Sequence, residues 1–330
     1  MKKILVVGVG SIGLRHIENF SVYFDEISVV DTNPERIMQA KAKYDIASSY
    51  TDFKVAIKDE IYNAVAVTTP PHVHLPVAKL AAENGVNLFI EKPLGMSVFG
   101  WNEVAEMCKE KGLVSYVAYC HRHIPYIQKL KKIIESGRIG SVIHANMRWG
   151  SYLPDWHPWE DYRSFYMAKK EQGGGALLDE SHGIDLIRYV LGEVNEVFAV
   201  IDTISDLEIS SDDIALLTLR LENNVLVQIN FDLSSRYPRI SLEIIGTKGT
   251  IVWDRVDNVI KCYDASSQSW SNEQFSNDDL MSMYPRQARH FYECVFNGQE
   301  PVIDIDNAIC TQKIIDASFE SSIEGKLMHI

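Results

Sequence analysis

The chain has no cysteine pairs and no long apolar run, and each absence removes a class of protein. Its five cysteines, Cys108, Cys120, Cys262, Cys294 and Cys310, are scattered, odd in number and never spaced C-x-x-C. That pattern argues against a disulfide framework and against a zinc site, and it matches a reducing compartment. No stretch reaches the roughly 18 apolar residues that a membrane span needs. The apolar start at Ile4-Leu5-Val6-Val7 soon breaks into glycines, without the small-residue cleavage site of a signal peptide. The expectation is a soluble, cytoplasmic protein with no metal. Positive charge is also short, with 32 Lys plus Arg against 45 Asp plus Glu and a formal charge of −13. Such a surface repels phosphate backbones and anionic lipid, so neither nucleic acid nor a membrane is an expected partner. A local basic pocket for one anionic cofactor remains compatible with it. Internal repeats and low-complexity tracts are missing as well.

What is present is an ordinary globular composition, 46% hydrophobic and 23% charged over 330 residues, a length suited to two domains. Up to about residue 120, short apolar runs (Lys3–Val7, Ile27–Val30, Ala64–Thr68, Asn87–Ile90, Leu113–Ala118) alternate with amphipathic segments (Asn33–Tyr44, His72–Asn84, Ser97–Lys111). Pro34 suits the first helical position, and Gly85 and Gly112 suit helix ends. Strand, helix, strand, helix predicts an α/β architecture, a doubly wound parallel sheet. After that the texture changes. A helix around Tyr126–Ser136 leads to a strand near Val142–Trp149, a long aromatic loop and a helix opened by Gly173-Gly174-Gly175 that runs to about Leu191. From Val194 to Asp264 alternating strands with turn signals predict an antiparallel meander, followed by helices near Pro285–Phe296 and Asn307–Glu324. The division expected is a Rossmann domain over 1–120 and an α+β domain over 121–330 with an open, mainly antiparallel sheet.

Gly8-Val9-Gly10-Ser11-Ile12-Gly13 follows the first strand at once and opens a helix. The first glycine permits the tight turn, the second lets backbone N–H groups approach a pyrophosphate, and the third allows close helix–strand packing. The helix N-terminus adds positive partial charge for the phosphates. Asp31, 18 residues after Gly13, ends the second strand, where a carboxylate accepts hydrogen bonds from the ribose hydroxyls and repels a 2′-phosphate. This favours NAD over NADP, although Arg36 is placed to recruit a phosphate. The bland alternative is that Asp31 merely starts the turn into Asn33-Pro34.

Ligands of open α/β sheets sit beyond the carboxyl ends of the strands. Thr68-Thr69-Pro70 and Glu91-Lys92-Pro93 are therefore expected to face the nicotinamide region. Glu91 and Pro93 bracket Lys92, which otherwise reads as a solvated turn lysine. Further on, Asp179, His182 and Asp185 are three apart and, on one continuous helix, would share a face. A histidine can take a proton as hydride leaves an alcohol carbon, with a carboxylate to orient it. A helix-capping or buried structural histidine fits the same pattern.

These residues together resemble a known family. The N-terminal fingerprint, Thr-Pro-Pro-His-x-His ending at His74, Glu-Lys-Pro, Arg122 before Pro125 and Gly-Gly-Gly…Asp…His are similar to the glucose–fructose oxidoreductase/inositol dehydrogenase (Gfo/Idh/MocA) family. The resemblance spans nearly the whole chain. It implies hydride exchange at a sugar, amino sugar, sugar nucleotide or cyclitol carbon, with Lys92 hydrogen-bonding the reacting hydroxyl and His182 as general acid/base. It also implies His74 and Glu91 among the cofactor-binding residues, a Lys92–Pro93 bond that is often cis and aims the lysine inward, and homo-oligomers built through the open sheet. One departure stands out. Relatives carry Asp-x-x-x-His, whereas Asp179 precedes His182 by only three positions, so either the helix start shifts or another carboxylate takes the role.

Gly150–Arg163 supplies the candidate substrate loop. Trp156, Trp159 and Tyr162 can stack on a sugar face, and His157, Asp161 and Arg163 can bind hydroxyls or a carboxylate. A loop packed on itself would use the same tryptophans to bury area, and both readings can hold together. Arg122 and His123 stand where the two domains join in the chain, and Tyr237 and Arg239 are further candidates. The loop also resembles family members linked to surface-sugar biosynthesis. The competing functional readings are an NAD-dependent glycosidase using transient oxidation, and a non-catalytic NAD- or sugar-sensing regulator, which would need no acid/base pair.

Overall fold

The computed structural model describes residues 1–156, 158 and 160–330. In chain order the first elements are β1 (Lys3–Val7), α1 (Ser11–Phe20), β2 (Glu26–Val30), α2 (Pro34–Lys43), β3 (Ser49–Tyr50), α3 (Phe53–Asp59), β4 (Ala64–Val67), α4 (His74–Glu83), β5 (Asn87–Ile90), α5 (Trp101–Lys111) and β6 (Ser115–Val117). Then come α6 (Pro125–Glu135), β7 (Val142–Tyr152), α7 (Ala176–Asp179), α8 (Ser181–Leu191), β8 (Val194–Asp202), β9 (Ile214–Leu221) and β10 (Leu226–Asp232). The chain continues with β11 (Ser234–Gly246), β12 (Gly249–Asp254), β13 (Val259–Asp264), β14 (Ser269–Gln274), α9 (Asn277–Met281), α10 (Met283–Asn297), α11 (Ile305–Glu324) and β15 (Met328–His329).

It forms two compact units. In the first, six parallel strands lie in the order β3-β2-β1-β4-β5-β6, the doubly wound arrangement expected from the sequence. These strands are apolar almost throughout because both faces are covered. Leu5, Val7, Val65, Val67, Leu88 and Ile90 point to one side, against Val77, Ala78 and Ala81 of α4 and Val104 and Ala105 of α5. Ile4, Val6, Ala64, Ala66 and Phe89 point to the other, against Ile17 and Phe20 of α1. The period of two sorts neighbouring residues into two separate cores.

This unit is discontinuous, comprising Met1–His123 and Ser282–Gln312. The sequence division at residue 120 assigned the later segment to the second domain, and the structure corrects that. Ala288, Phe291 and Cys294 of α10 bury themselves in the core with Phe20 and Phe89, and Ile303, Ile305, Ala308 and Ile309 join the core on the opposite side of the sheet.

The second unit, Ile124–Met281 with Lys313–Ile330, is built on nine strands in the order β14-β13-β12-β11-β7-β10-β9-β8-β15. Its pairings are antiparallel except β7 with β10, so the expected meander is a mixed, mainly antiparallel sheet. One face is buried, with Ala145, Met147, Leu217, Leu219, Ile229 and Phe231 pointing into the core. A Cβ on Gly183 of α8 would meet Phe231 at 2.5 Å, so the missing side chain is what lets that helix lie on the sheet. On the other face Phe198, Val200, Leu216 and Leu226 are substantially exposed. No described helix is long and apolar enough to cross a membrane.

Candidate active site

In the first unit the strand order reverses between β1 and β4, and the glycine fingerprint lies at the carboxyl end of β1, where ligands of such sheets bind. Gly8 has φ of +97°, and a Cβ there would sit 2.8 Å from the Thr68 carbonyl oxygen. A Cβ on Gly13 would lie 2.0 Å from the Gly8 carbonyl oxygen, so helix α1 can rest on the turn only as glycine. Gly10 differs, because nothing lies within 4 Å of its Cβ position. As the N-cap of α1 it brings no side chain of its own to the first-turn N–H groups. Two glycines thus make the turn and the third leaves its approach clear, which is the shape a pyrophosphate requires.

Asp31 is buried at the end of β2, and its Oδ2 accepts the Val9 N–H at 2.9 Å while Oδ1 accepts the Asn33 N–H at 2.8 Å. Its carboxylate is thereby tied to the glycine turn, with lone pairs left for two hydroxyls. It also starts the turn into Asn33, so both readings of this residue hold at once. The Arg36 guanidinium lies 4.0 Å away and is half exposed. Thr68 Oγ donates to the Gly8 carbonyl at 2.6 Å, locking the β4 end to the fingerprint, with Thr69 and Pro70 partly exposed beyond it. These residues fit a dinucleotide with free ribose hydroxyls.

At the end of β5 the Lys92–Pro93 peptide is cis. Glu91 is buried, its Oε2 accepting the Lys92 N–H at 3.0 Å and its Oε1 accepting from His16 Nε2 at 2.6 Å. His74 has no exposed surface, which removes it from the residues a cofactor can touch, contrary to the role the resemblance implied. Its Nε2 faces the Thr69 carbonyl at 2.7 Å and its Nδ1 the Pro93 carbonyl at 3.0 Å. Burial pushes its pKa down. Arg122 is buried too, donating to Asn307 Oδ1 at 3.1 Å. Its neighbour His123 is held down to about 4 by burial and by the charges of His290, Arg286 and Arg122.

In the second unit the glycine triplet is shaped by its neighbours. A Cβ on Gly174 would meet the Tyr166 carbonyl at 2.3 Å, and one on Gly175 would meet Asp212 Oδ1 at 2.1 Å. Asp212 Oδ2 accepts the Leu177 N–H at 2.9 Å, capping α7, and burial pushes its carboxyl up to about 6. The single helix expected here is two. Glu180, at φ −85° and ψ 17°, separates α7 from α8, so Asp179 and His182 do not share one continuous helical face. The break falls inside the shortened Asp179–His182 interval. Asp179 accepts from the Tyr166 hydroxyl at 2.7 Å, His182 stacks near Trp149 with ring centroids 6.3 Å apart, and Asp185 lies 3.9 Å from Arg188.

In the aromatic loop the polar groups largely serve the loop itself. Trp156 Nε1 donates to Ser151 at 2.7 Å, Arg163 pairs with Asp161 at 2.9 Å and with Glu208 at 2.5 Å, and the Tyr162 hydroxyl accepts the Glu208 N–H. His157 and Trp159 lie outside the described residues. Tyr237 is exposed, and Arg239 pairs with Asp254 at 3.4 Å. Sequence reasoning missed His16, Tyr166 and Asp212. His16 carried one signal, three residues beyond Gly13, and the other two carried none.

The geometry is matched by the comparisons with known proteins. The oxidoreductase family with an NAD-binding Rossmann fold matches residues 2–119, and the GFO/IDH/MocA C-terminal domain matches 127–252. The chain belongs to the GFO/IDH/MocA oxidoreductase family. Among its relatives, levoglucosan dehydrogenase of Pseudarthrobacter phenanthrenivorans is 27% identical, over 90% of this chain and 80% of that protein. Myo-inositol 2-dehydrogenase of Thermotoga maritima is 27% identical, over 91% of this chain and 90% of that one. Among solved structures, a levoglucosan dehydrogenase in complex with NADH superposes with a TM-score of 0.87 at 23% identity, covering 100% of this chain and 99% of that one. The WlbA dehydrogenase from Bordetella pertussis, with NADH and UDP-GlcNAcA, gives 0.85 at 22%, covering 100% and 97%. The Rossmann unit of this GFO/IDH/MocA protein is thus an NAD-binding one, which the glycine geometry fits.

Proposed function

We propose that this protein is an NAD-dependent dehydrogenase acting on a ring hydroxyl of a sugar, amino sugar, sugar nucleotide or cyclitol. The observation that carries this reading is the Lys92 turn at the carboxyl end of β5, beside a glycine fingerprint built for a dinucleotide and in a chain whose two parts both match this family. NAD supplies the hydride acceptor when bound. The backbone of Gly8, Gly10, Ser11, Ile12 and Gly13 holds its phosphates, and Asp31 takes the ribose hydroxyls, which disfavours a 2′-phosphate. Thr68, Thr69, Pro70 and Glu91 shape the nicotinamide side. Lys92 hydrogen-bonds the reacting hydroxyl and His182 takes its proton, as general acid/base. Asp179, held by Tyr166, is the supporting carboxylate. Arg122, Trp156, Tyr162 and Arg163, together with His157 and Trp159, contact the substrate.

The division of labour proposed is a cofactor unit, 1–123 with 282–312, and a unit for substrate and assembly. The half-exposed apolar residues on the open sheet face support a homo-oligomer formed through it, and the cysteine usage supports a cytoplasmic setting. The test is a screen of cyclitols, anhydrosugars and amino sugars for NAD reduction. A hit should lose at least about a thousandfold in kcat on Lys92→Ala, the scale of losing a positioned acid/base group together with its hydrogen bond. Tight NADH binding with no turnover of any polyol would count against the reading. Product formation without net NADH would point to the transient-oxidation alternative instead.

A further inference from the structure

The turn that carries Lys92 is held from behind by two histidines that no ligand can reach. His16 is 1% exposed and His74 0%. His16 stands on α1, its ring boxed by Phe20, Phe89 and Tyr284 at centroid distances of 5.6, 4.8 and 6.3 Å. From that box its Nε2 reaches Glu91 Oε1 at 2.6 Å, and the other oxygen of the same carboxylate takes the Lys92 N–H at 3.0 Å. His74 comes from the opposite side, at the start of α4. Its Nδ1 faces the carbonyl of Pro93 at 3.0 Å and that of Leu94 at 3.3 Å, while its Nε2 faces the Thr69 carbonyl at 2.7 Å.

A buried imidazole and a buried carboxylate are costly groups to place in an apolar core. The aromatic box around His16 would hold a phenylalanine at lower cost. Both polar rings nevertheless end on the same short segment, Glu91 to Leu94. His16 links the carboxylate before Lys92 to α1 below the glycine turn, and His74, with one ring N–H to donate when neutral, packs between the Pro93 carbonyl after Lys92 and the Thr69 carbonyl beyond β4.

We propose that His16 and His74 are positioning residues for Lys92, acting through Glu91 and through the Pro93 carbonyl, and touching neither cofactor nor substrate. They set the point and direction in which the lysine side chain leaves the backbone. The consequence for the lysine's role rests on the dehydrogenase reading, but the placement itself can be measured without a substrate.

The full-length protein and its His16→Phe, His74→Phe, His16→Gln, His74→Gln and Glu91→Gln variants are reductively methylated with isotope-labelled formaldehyde. The Lys92 resonance is identified by its loss in Lys92→Arg. The expected result is a Lys92 signal that moves in both phenylalanine variants and in Glu91→Gln, and that returns toward the parent position in the two histidine-to-glutamine variants, whose amides still donate. NADH, titrated alone by its fluorescence, should bind the four histidine variants within about twofold of the parent, under 0.5 kcal/mol. An unmoved Lys92 signal in folded phenylalanine variants would overturn the proposal. So would a parallel loss of NADH affinity, which would make the histidines part of the cofactor site. Should the phenylalanine variants not fold, Glu91→Gln decides: a shifted signal there with His16→Gln near the parent supports the proposal, and no shift overturns it. Neither readout needs turnover, so a failed substrate screen would leave this test standing.

Discussion

The glycines of the fingerprint make the most direct test at the scale of single residues. Gly10 has clear space where a side chain would go, whereas a Cβ on Gly13 would run into backbone at 2.0 Å. Gly10→Ala should therefore fold with an unchanged melting temperature yet bind NADH about tenfold more weakly, since its methyl group enters the phosphate approach, a loss of about 1.4 kcal/mol. Gly13→Ala should instead lose about 3 kcal/mol of stability, because overpacking against backbone has no flexible side chain to relieve it. Equal effects of the two on melting temperature would refute this division of roles. A second residue-scale prediction concerns pH. Asp212 sits at about 6 in the folded protein, against about 3.9 for a free aspartate. The folded state then holds the proton more tightly, so stability present below pH 4 is lost as pH rises toward 6. Asp212→Asn keeps an acceptor for Leu177 without the buried charge. It should melt about 2 °C above the parent at pH 7 and level with it at pH 4, a difference of about 1 kcal/mol after allowing for partial solvent contact. Glycines and Asp31 were legible in the sequence because they fall at the fixed spacing of a fingerprint, although Asp31 reaches Val9 22 residues away and Gly8 accepts from Thr68 60 residues away. His16, Tyr166 and Asp212 were not, because their partners lie 75, 13 and 35 residues away and are chosen by the fold.

Among the elements, legibility followed length and periodicity. Strands β1 and β5 fall where the apolar runs put them, and α2 begins after Asn33, which caps it, with Pro34 in the first turn. The two-residue β3, the seven-residue α3 and the exposed β14 went unread. The first two are too short to show a period, and β14 has no buried face to mark one. The break at Glu180 was invisible for a different reason. Nothing in Asp179-Glu180-Ser181-His182 is a helix breaker; the interruption is imposed by tertiary ties on either side of it. Asp212 holds the start of α7 and Tyr166 holds Asp179 at its end, while Gly183 fixes α8 against Phe231. Tyr166→Phe should accordingly free the end of α7. A buried carboxylate that loses a charge-assisted hydrogen bond costs about 1.5–3 kcal/mol, read as a lowered melting temperature. Hydrogen exchange should quicken over 176–180 and stay slow in α8, which packs independently on the sheet. Uniform acceleration across both helices would mean that the two are one cooperative element after all.

For the molecule as a whole, the open sheet face poses the largest unsolved packing question. Its other face is filled by Met147, Leu217, Leu219, Ile229 and Phe231, but Phe198, Val200, Leu216 and Leu226 stand on three adjacent strands with about 39–50% of their surface in water. A sheet of nine strands that leaves such a row exposed is suited to cover it with a second copy of itself, since a two-fold axis matches any patch to its own image. Charge does not forbid this: the Glu196–Arg220 pair on the same face at 3.0 Å is locally neutral although the chain carries −13. Val200 and Leu216 are directly paired across β8 and β9, so they can be changed together as Val200→Lys with Leu216→Glu. Within one chain the opposite charges support each other across the strands. In an interface the same pair would have to be stripped of water, which costs several kcal/mol. The doubly substituted protein should thus keep its melting behaviour at low concentration and its affinity for NADH, but fall to the 37.4 kDa of a single chain in light scattering. The parent should scatter as a multiple of that mass. A parent of 37.4 kDa would show that no copy of the chain covers this face, and a variant that stays oligomeric would move the interface elsewhere on the chain.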